Sequence, residues 1–201
     1  MNNAKVWGDS QTQFFYELTP ENILDAVEAL GFRVTGRCLT LNSMENRVYE
    51  IEYEIEVEQP QNTSVIAKFY RPGRWSREQI IEEHQFLLDL RADEIPAIAP
   101  LQIQGETLFK AQDLYYCLFP KRGGRSPQEM SDEQIEITGR LLARIHNVGE
   151  RRQAPHRLHI NPDTFGRANL ELLLDLKVID PHLETQYQEL VKKICDQLDR
   201  P

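Results

Sequence analysis

The sequence predicts an α+β fold built on an antiparallel sheet, and three observations carry that reading. Tyr49, Ile51, Tyr53, Ile55 and Val57 alternate without a break with Glu50, Glu52, Glu54, Glu56 and Glu58, the period of a strand with one covered face. Thr63-Ser-Val-Ile-Ala-Lys-Phe-Tyr70 follows as a short β-branched run, near enough to pair with it. Ser76 with Gln79, and Ser131 with Gln134, have the spacing of a capping box, and each opens a segment with apolar residues at helical intervals. At 201 residues, 40% hydrophobic and 27% charged, the chain can bury a core and lacks the composition of disorder.

Taken in order, Thr19 as N-cap, Pro20 at the first helical position, Ile23, Leu24, Val27 and Leu30, then Gly31 define a first helix that should pack behind the sheet. Val34 to Leu41 reads as a strand. Asn42-Ser-Met-Glu-Asn46 reads as a turn, since Asn and Ser bond readily to nearby backbone. The glutamate stripe of the next strand is the solvated side of a one-sided antiparallel strand rather than a docking site. Pro60-Gln-Asn62 should turn the chain into the run 63–70. The Ser76 helix should extend to about Leu90. Leu101-Gln-Ile103 and Thr107-Leu-Phe109 are expected as short extended pieces around Gly105, with Leu114 to Phe119 as the last strand, stopped by Pro120. The Ser131 helix should carry Ile135, Leu142 and Ile145 on one side and end before Gly149. A final amphipathic helix carries Leu183, Tyr187, Leu190, Val191, Ile194 and Leu198.

Two charged residues stand out. Lys68 sits inside the apolar run and shares a strand face with Ile66 and Tyr70, a position that demands an anion. On the Ser76 helix, Glu83 has Ile80, Phe86, Leu87 and Leu90 as helical neighbours, whereas Glu82 is ringed by polar ones, so Glu83 is expected to point inward. A lysine and a glutamate that each offset the other's desolvation form a predicted ion pair, Lys68–Glu83. Strand lysine followed by helix glutamate is the pair found in kinase-like folds, where the lysine holds the α- and β-phosphates of ATP.

Leu41-Asn-Ser-Met-Glu-Asn-Arg-Val-Tyr49, Ala67-Lys-Phe-Tyr-Arg-Pro-Gly-Arg-Trp75 and Ile81-Glu-Glu-His-Gln-Phe86 resemble the stress response kinase A family, bacterial Ser/Thr protein kinases related to aminoglycoside phosphotransferases and choline kinases. The likeness runs from about Phe15 to His146 and more loosely to the end. It implies a kinase-like small lobe over 1–120, then a hinge and the first helices of an incomplete large lobe over 121–201. It also implies an ATP contact at Ser43 in a glycine-free cradle with Asn42 and Asn46, phosphate binding by Lys68 supported by Glu83, and adenine bonding near Phe119 and Lys121. Hydroxyl and backbone N–H groups in a tight turn suit phosphate oxygens. Arg140 to His146 resembles a helix ending common in this superfamily, where His146 would pack or hydrogen-bond rather than catalyse.

The family's H-G-D-x-H-x-x-N loop, which supplies the base and a Mg²⁺ ligand, does not occur in these residues, nor does a following metal-binding aspartate. His159-Ile-Asn-Pro-Asp163 and Asp163-Thr-Phe-Gly166 are false matches, because the two motifs would have to share Asp163. Mg²⁺ ligands and catalytic residues are thus expected beyond Pro201, and the fragment is expected to be inactive alone, with its cut surface open to self-association. The net charge of −9 argues against nucleic-acid and anionic-membrane partners. The polar start and the lack of a long apolar run point to the cytoplasm. Cys38, Cys117 and Cys195 form no disulfide or metal spacing, and the five histidines no zinc pattern. Three functions fit: the ATP-binding portion of a kinase acting on protein hydroxyls, a small-molecule kinase of the aminoglycoside, choline or homoserine type, and a non-catalytic adaptor.

Overall fold

The computed structural model describes residues 18–55, 61–124 and 127–199, which divide into two compact units, one ending at His156 and the other beginning at Arg157. The expected lobe boundary at 120–121 falls within the first unit.

In the first unit, α1 (Pro20–Glu28) precedes β1 (Arg33–Leu41), β2 (Arg47–Ile55) and β3 (Gln61–Phe69). Then come α2 (Arg77–Ala92), β4 (Phe109–Ala111), β5 (Leu114–Pro120) and α3 (Asp132–Glu150). The strands make one antiparallel sheet in the order β1-β2-β3-β5-β4. β1 shifts register between Val34 and Cys38, where Gly36 takes a φ of +90° that a side chain would disfavour.

Alternation along the strands gives each face its own helix. Tyr49, Ile51, Val65, Ala67, Phe69, Tyr116 and Leu118 point to one side and bury Ile23 and Val27 of α1. Removing such side chains from water stabilises by about 1.5–3 kcal/mol apiece. Phe69 stacks on Tyr116 at 5.1 Å, and the Tyr116 hydroxyl donates to the Ala26 carbonyl at 2.7 Å, tying α1 to β5. Burial pushes that phenol up to about 12. Lys68 is on the opposite face. There α2 docks through Ile80 against Tyr70, Leu108 and Cys117, and farther along Leu90 meets Ile95 and Val148 of α3.

Both capping boxes form, Ser76 with Gln79 and Ser131 with Gln134, and the Thr19 side chain accepts from the Asn22 N–H. Several expectations need correction. Gln61 and Asn62 already belong to β3, opposite Ile55 and Glu54, so they are not the turn; Glu56, Val57, Glu58 and Pro60 lie outside the described residues. Leu101 to Ile103 makes no strand: the Leu101 N–H bonds the Leu118 carbonyl, and Ile103 forms an isolated bridge with Glu106 around Gly105. α3 continues through Gly149, and it buries Val148 with Ile145 and Leu141 alongside, while Ile135, Leu142 and His146 are exposed.

In the second unit, Asn161 caps a π-helical turn, Pro162–Arg167, that runs into α4 (Ala168–Asp175), and α5 is Glu184–Leu198. Arg167 joins Asp163, Asp196 and Asp199 at 2.7, 3.1 and 2.6 Å, and these carboxylates hold the guanidinium well above its ordinary pKa. Gly166 is required by packing, since a Cβ there would stand 2.3 Å from the buried Cys195 Sγ. Asp163 is thereby a helix-turn residue paired to Arg167. Tyr187, Leu190, Ile194 and Leu198 of α5 are exposed, and a groove of about 840 Å³ runs between Phe165, Leu173, Val191 and Ile194.

Candidate functional site

Lys68 Nζ donates to Glu83 Oε1 at 3.0 Å. β3 supplies the lysine by strand alternation, and the capped start of α2 sets the rotation that turns Glu83 toward the sheet. The side chains are 22% and 29% exposed, so the pair is half-buried rather than buried. Glu82 departs from expectation. Only 17% of its side chain is exposed, and it accepts from the His156 backbone N–H and meets its Nδ1 at 2.7 Å.

The register places other groups on the Lys68 face. Val48 lies opposite Lys68 on β2 and Cys117 opposite it on β5, while Ile66 faces Phe119 and Glu50. Lys121, just beyond β5, reaches back to Glu50 at 2.6 Å, and Ser64 donates to the same carboxylate at 2.9 Å. These bonds, that from Lys121 foremost, hold Glu50 below the usual glutamate range. Glu52 is met by Arg37 and Thr35, and Glu54 by Arg33. The described part of the acidic stripe is thus paired internally.

Asn42, Ser43 and Asn46 occupy the connection between β1 and β2, at the end of the sheet where Val48 and Lys68 pair. Asn42 and Ser43 are exposed; Asn46 instead accepts from the Arg71 N–H at 3.2 Å. Beside it Arg74 Nε bonds Glu45 at 2.8 Å and the guanidinium lies 4.8 Å from the Trp75 ring centre. Asn46 and Glu45 therefore pin the 42–46 turn to the segment after β3. Among the sequence-predicted residues, Lys68 and Glu83 meet directly, Phe119 shares their sheet face, and Lys121 is turned to Glu50.

A buried polar chain beside the pair escaped the sequence reading. His84 Nε2 is 2.7 Å from the Tyr70 hydroxyl and Nδ1 is 2.9 Å from Thr107 Oγ1; Lys68 Nζ stands 4.4 Å above the Tyr70 ring centre. Its one signal was spacing. Ile80 and His84 are one turn apart on the helix, so the buried stripe passes through the histidine. Among the described residues no cluster of three or more His, Cys, Asp or Glu could hold a metal ion, and no helix is long and apolar enough to cross a membrane.

Residues 40–199 match the model of the phosphotransferase enzyme family. The chain is 37% identical over 173 residues to stress response kinase A of Shigella flexneri, covering 86% of this chain and 51% of that protein. To the serine/threonine protein kinase RdoA of Salmonella typhimurium strain LT2 it is 44% identical over 138 residues, 69% of this chain and 40% of that protein. The chain thus spans about half the length of the curated relatives it matches. Among solved structures, amicoumacin kinase hAmiN in complex with AMP-PNP, Ca²⁺ and Ami superposes with a TM-score of 0.61 at 18% identity, over 90% of this chain and 55% of that one, a likeness of fold.

Proposed function

The chain belongs to the phosphotransferase enzyme family, and from that premise we propose that its sheet face binds ATP as the small lobe of a kinase that transfers the γ-phosphate to protein hydroxyls. The observation that carries the proposal is the half-buried Lys68–Glu83 pair, 3.0 Å long, on the sheet face that holds Val48, Ile66 and Phe119. An ammonium on phosphate oxygens is the cation that phosphoryl transfer requires, and a glutamate behind it holds the lysine in place. Ser43 and the backbone of the pinned 42–46 turn would bind further phosphate oxygens. Val48, Ile66 and Phe119 offer an apolar bed for the adenine, beside backbone groups running from Phe119 to Lys121. Similarity to relatives named stress response kinase and serine/threonine kinase favours a protein acceptor.

Among the described residues no group of three or more His, Cys, Asp or Glu could hold a metal ion, so none of them is assigned to Mg²⁺, and none is assigned to the catalytic base. The adaptor reading is weakened by the pairing of Glu50, Glu52 and Glu54, which leaves no stripe of unmatched charge on the described strand.

The test is an NMR titration of the ¹⁵N-labelled chain with ATP. Shifts should map to Ser43, Val48, Lys68 and Phe119 with a Kd on the order of 1 mM, and Lys68→Met should abolish them. Identical titrations of wild type and Lys68→Met would end the proposal. Without a base or metal ligand the 201-residue chain should transfer no phosphate; autophosphorylation that Lys68→Met eliminates would refute that assignment.

A further inference from the structure

The chain of hydrogen bonds behind Lys68 does nothing in the account above, yet it is costly to build. Tyr70, His84 and Thr107 are 3%, 1% and 7% exposed, and buried polar groups of this kind destabilise a core unless each is bonded. Burial pushes the His84 ring down to about 4, with Glu83 opposing and Lys68 adding to the shift, so the imidazole is neutral near pH 7 and has one donor and one acceptor nitrogen.

The Tyr70 oxygen has Cys117 Sγ at 3.5 Å and His84 Nε2 at 2.7 Å. Sulfur is a poor acceptor and the Cys117 thiol, raised to about 12 by burial, keeps its proton. The neutral His84 ring thus bridges the Tyr70 hydroxyl and Thr107 Oγ1, one nitrogen donating and the other accepting, with Cys117 Sγ at the far side of the phenol oxygen. These bonds fix the phenol at its oxygen and with it the position of the ring.

That ring lies 4.4 Å from Lys68 Nζ, while Glu83 holds the ammonium from another direction at 3.0 Å. We propose that Tyr70, held by His84 and Thr107, is a positioning residue for Lys68. Its ring face supports the ammonium by cation–π attraction, so that the lysine does not collapse wholly onto Glu83 and its remaining protons stay aimed at phosphate. The inference rests on the reading of Lys68 as the cation of the nucleotide.

The test combines two readouts on the 201-residue chain. In solution the Lys68 ε-methylene protons should resonate upfield of free lysine because of the Tyr70 ring current. Tyr70→Leu should erase that shift and weaken ATP binding about tenfold, a cation–π strength between the exposed and desolvated limits. Tyr70→Phe, which keeps the ring and loses the hydroxyl, should keep most of the shift and weaken ATP about twofold. Thr107→Val should move the His84 ¹⁵N signals and reduce the Lys68 shift, which a purely structural role would leave alone. Free-lysine shifts for Lys68 in wild type, or a folded Tyr70→Leu chain with unchanged ATP affinity, would overturn the proposal. If Tyr70→Leu does not fold, Tyr70→Phe and Thr107→Val decide: no change of the Lys68 signals or ATP affinity in either sinks it. A wild-type chain that shows the ring-current shift, loses it in Tyr70→Leu, and binds no ATP would uphold the placement of Lys68 and reject the nucleotide reading instead.

Discussion

Acidification from pH 7 to pH 5 should destabilise the first unit through His84. In the unfolded chain its ring titrates at the ordinary 6.5; in the fold, burial first, then the counteracting Glu83 and the reinforcing Lys68, bring it to about 4. Because the folded value is depressed, the unfolded chain binds the proton first, so stability is full above 6.5 and falls as the pH drops toward 4. At 1.36 kcal/mol per pH unit the whole difference is about 3 kcal/mol, of which about 2 kcal/mol is lost between pH 7 and 5. Glu50 and Asp89, whose carboxyls are held low by Lys121 and Arg152, lose their contribution only in more acidic solution. Urea unfolding at pH 7.5, 6.5, 5.5 and 5.0 measures it, with His84→Gln as the control that keeps a hydrogen-bonding side chain and has no proton to gain. The other histidines contribute equally to both proteins, so the difference in slope isolates His84. Equal slopes in wild type and variant would show that the ring accepts a proton freely in the folded state, contrary to its burial.

The ion pair, the pinned turn and the exposed helix each yield a further expectation. Glu83→Gln leaves the Lys68 charge without its anion at a half-buried site and should cost about 1–2 kcal/mol by chemical denaturation, between the exposed and buried limits for ion pairs, whereas Lys68→Met should cost less; the reverse ranking would contradict the pairing. Asn46→Ala removes the acceptor of the Arg71 N–H and should cost about 1 kcal/mol while broadening the amide signals of 42–46; unchanged line shapes would mean that the turn is held by other contacts. The exposed Leu190, Ile194 and Leu198 of α5 should drive concentration-dependent association, read by sedimentation, and Leu190→Lys with Ile194→Lys should suppress it; a compact wild-type monomer at high concentration would count against this.

The sequence by itself determined the local elements and the partnership of Lys68 with Glu83. Strand alternation and two capping boxes are nearest-neighbour properties, and a lysine in an apolar strand followed by a glutamate on the apolar side of a helix has few other solutions. Tertiary structure alone decided matters that depend on residues distant in the chain. His156 shelters Glu82 from 74 positions away, Lys121 turns back to Glu50 across 71, and Thr107 completes the bonding of His84 across 23. Helical spacing puts His84 on the stripe of Ile80, but its ring is given its bonding partners only by Tyr70 and Thr107, brought in from other elements. The same holds for α3, whose Ile135 and Leu142 look like core in the pattern but stay exposed because only the Val148 end of the helix meets α2. Periodicity reports which residues share a face; what that face meets is settled by the packing of distant segments.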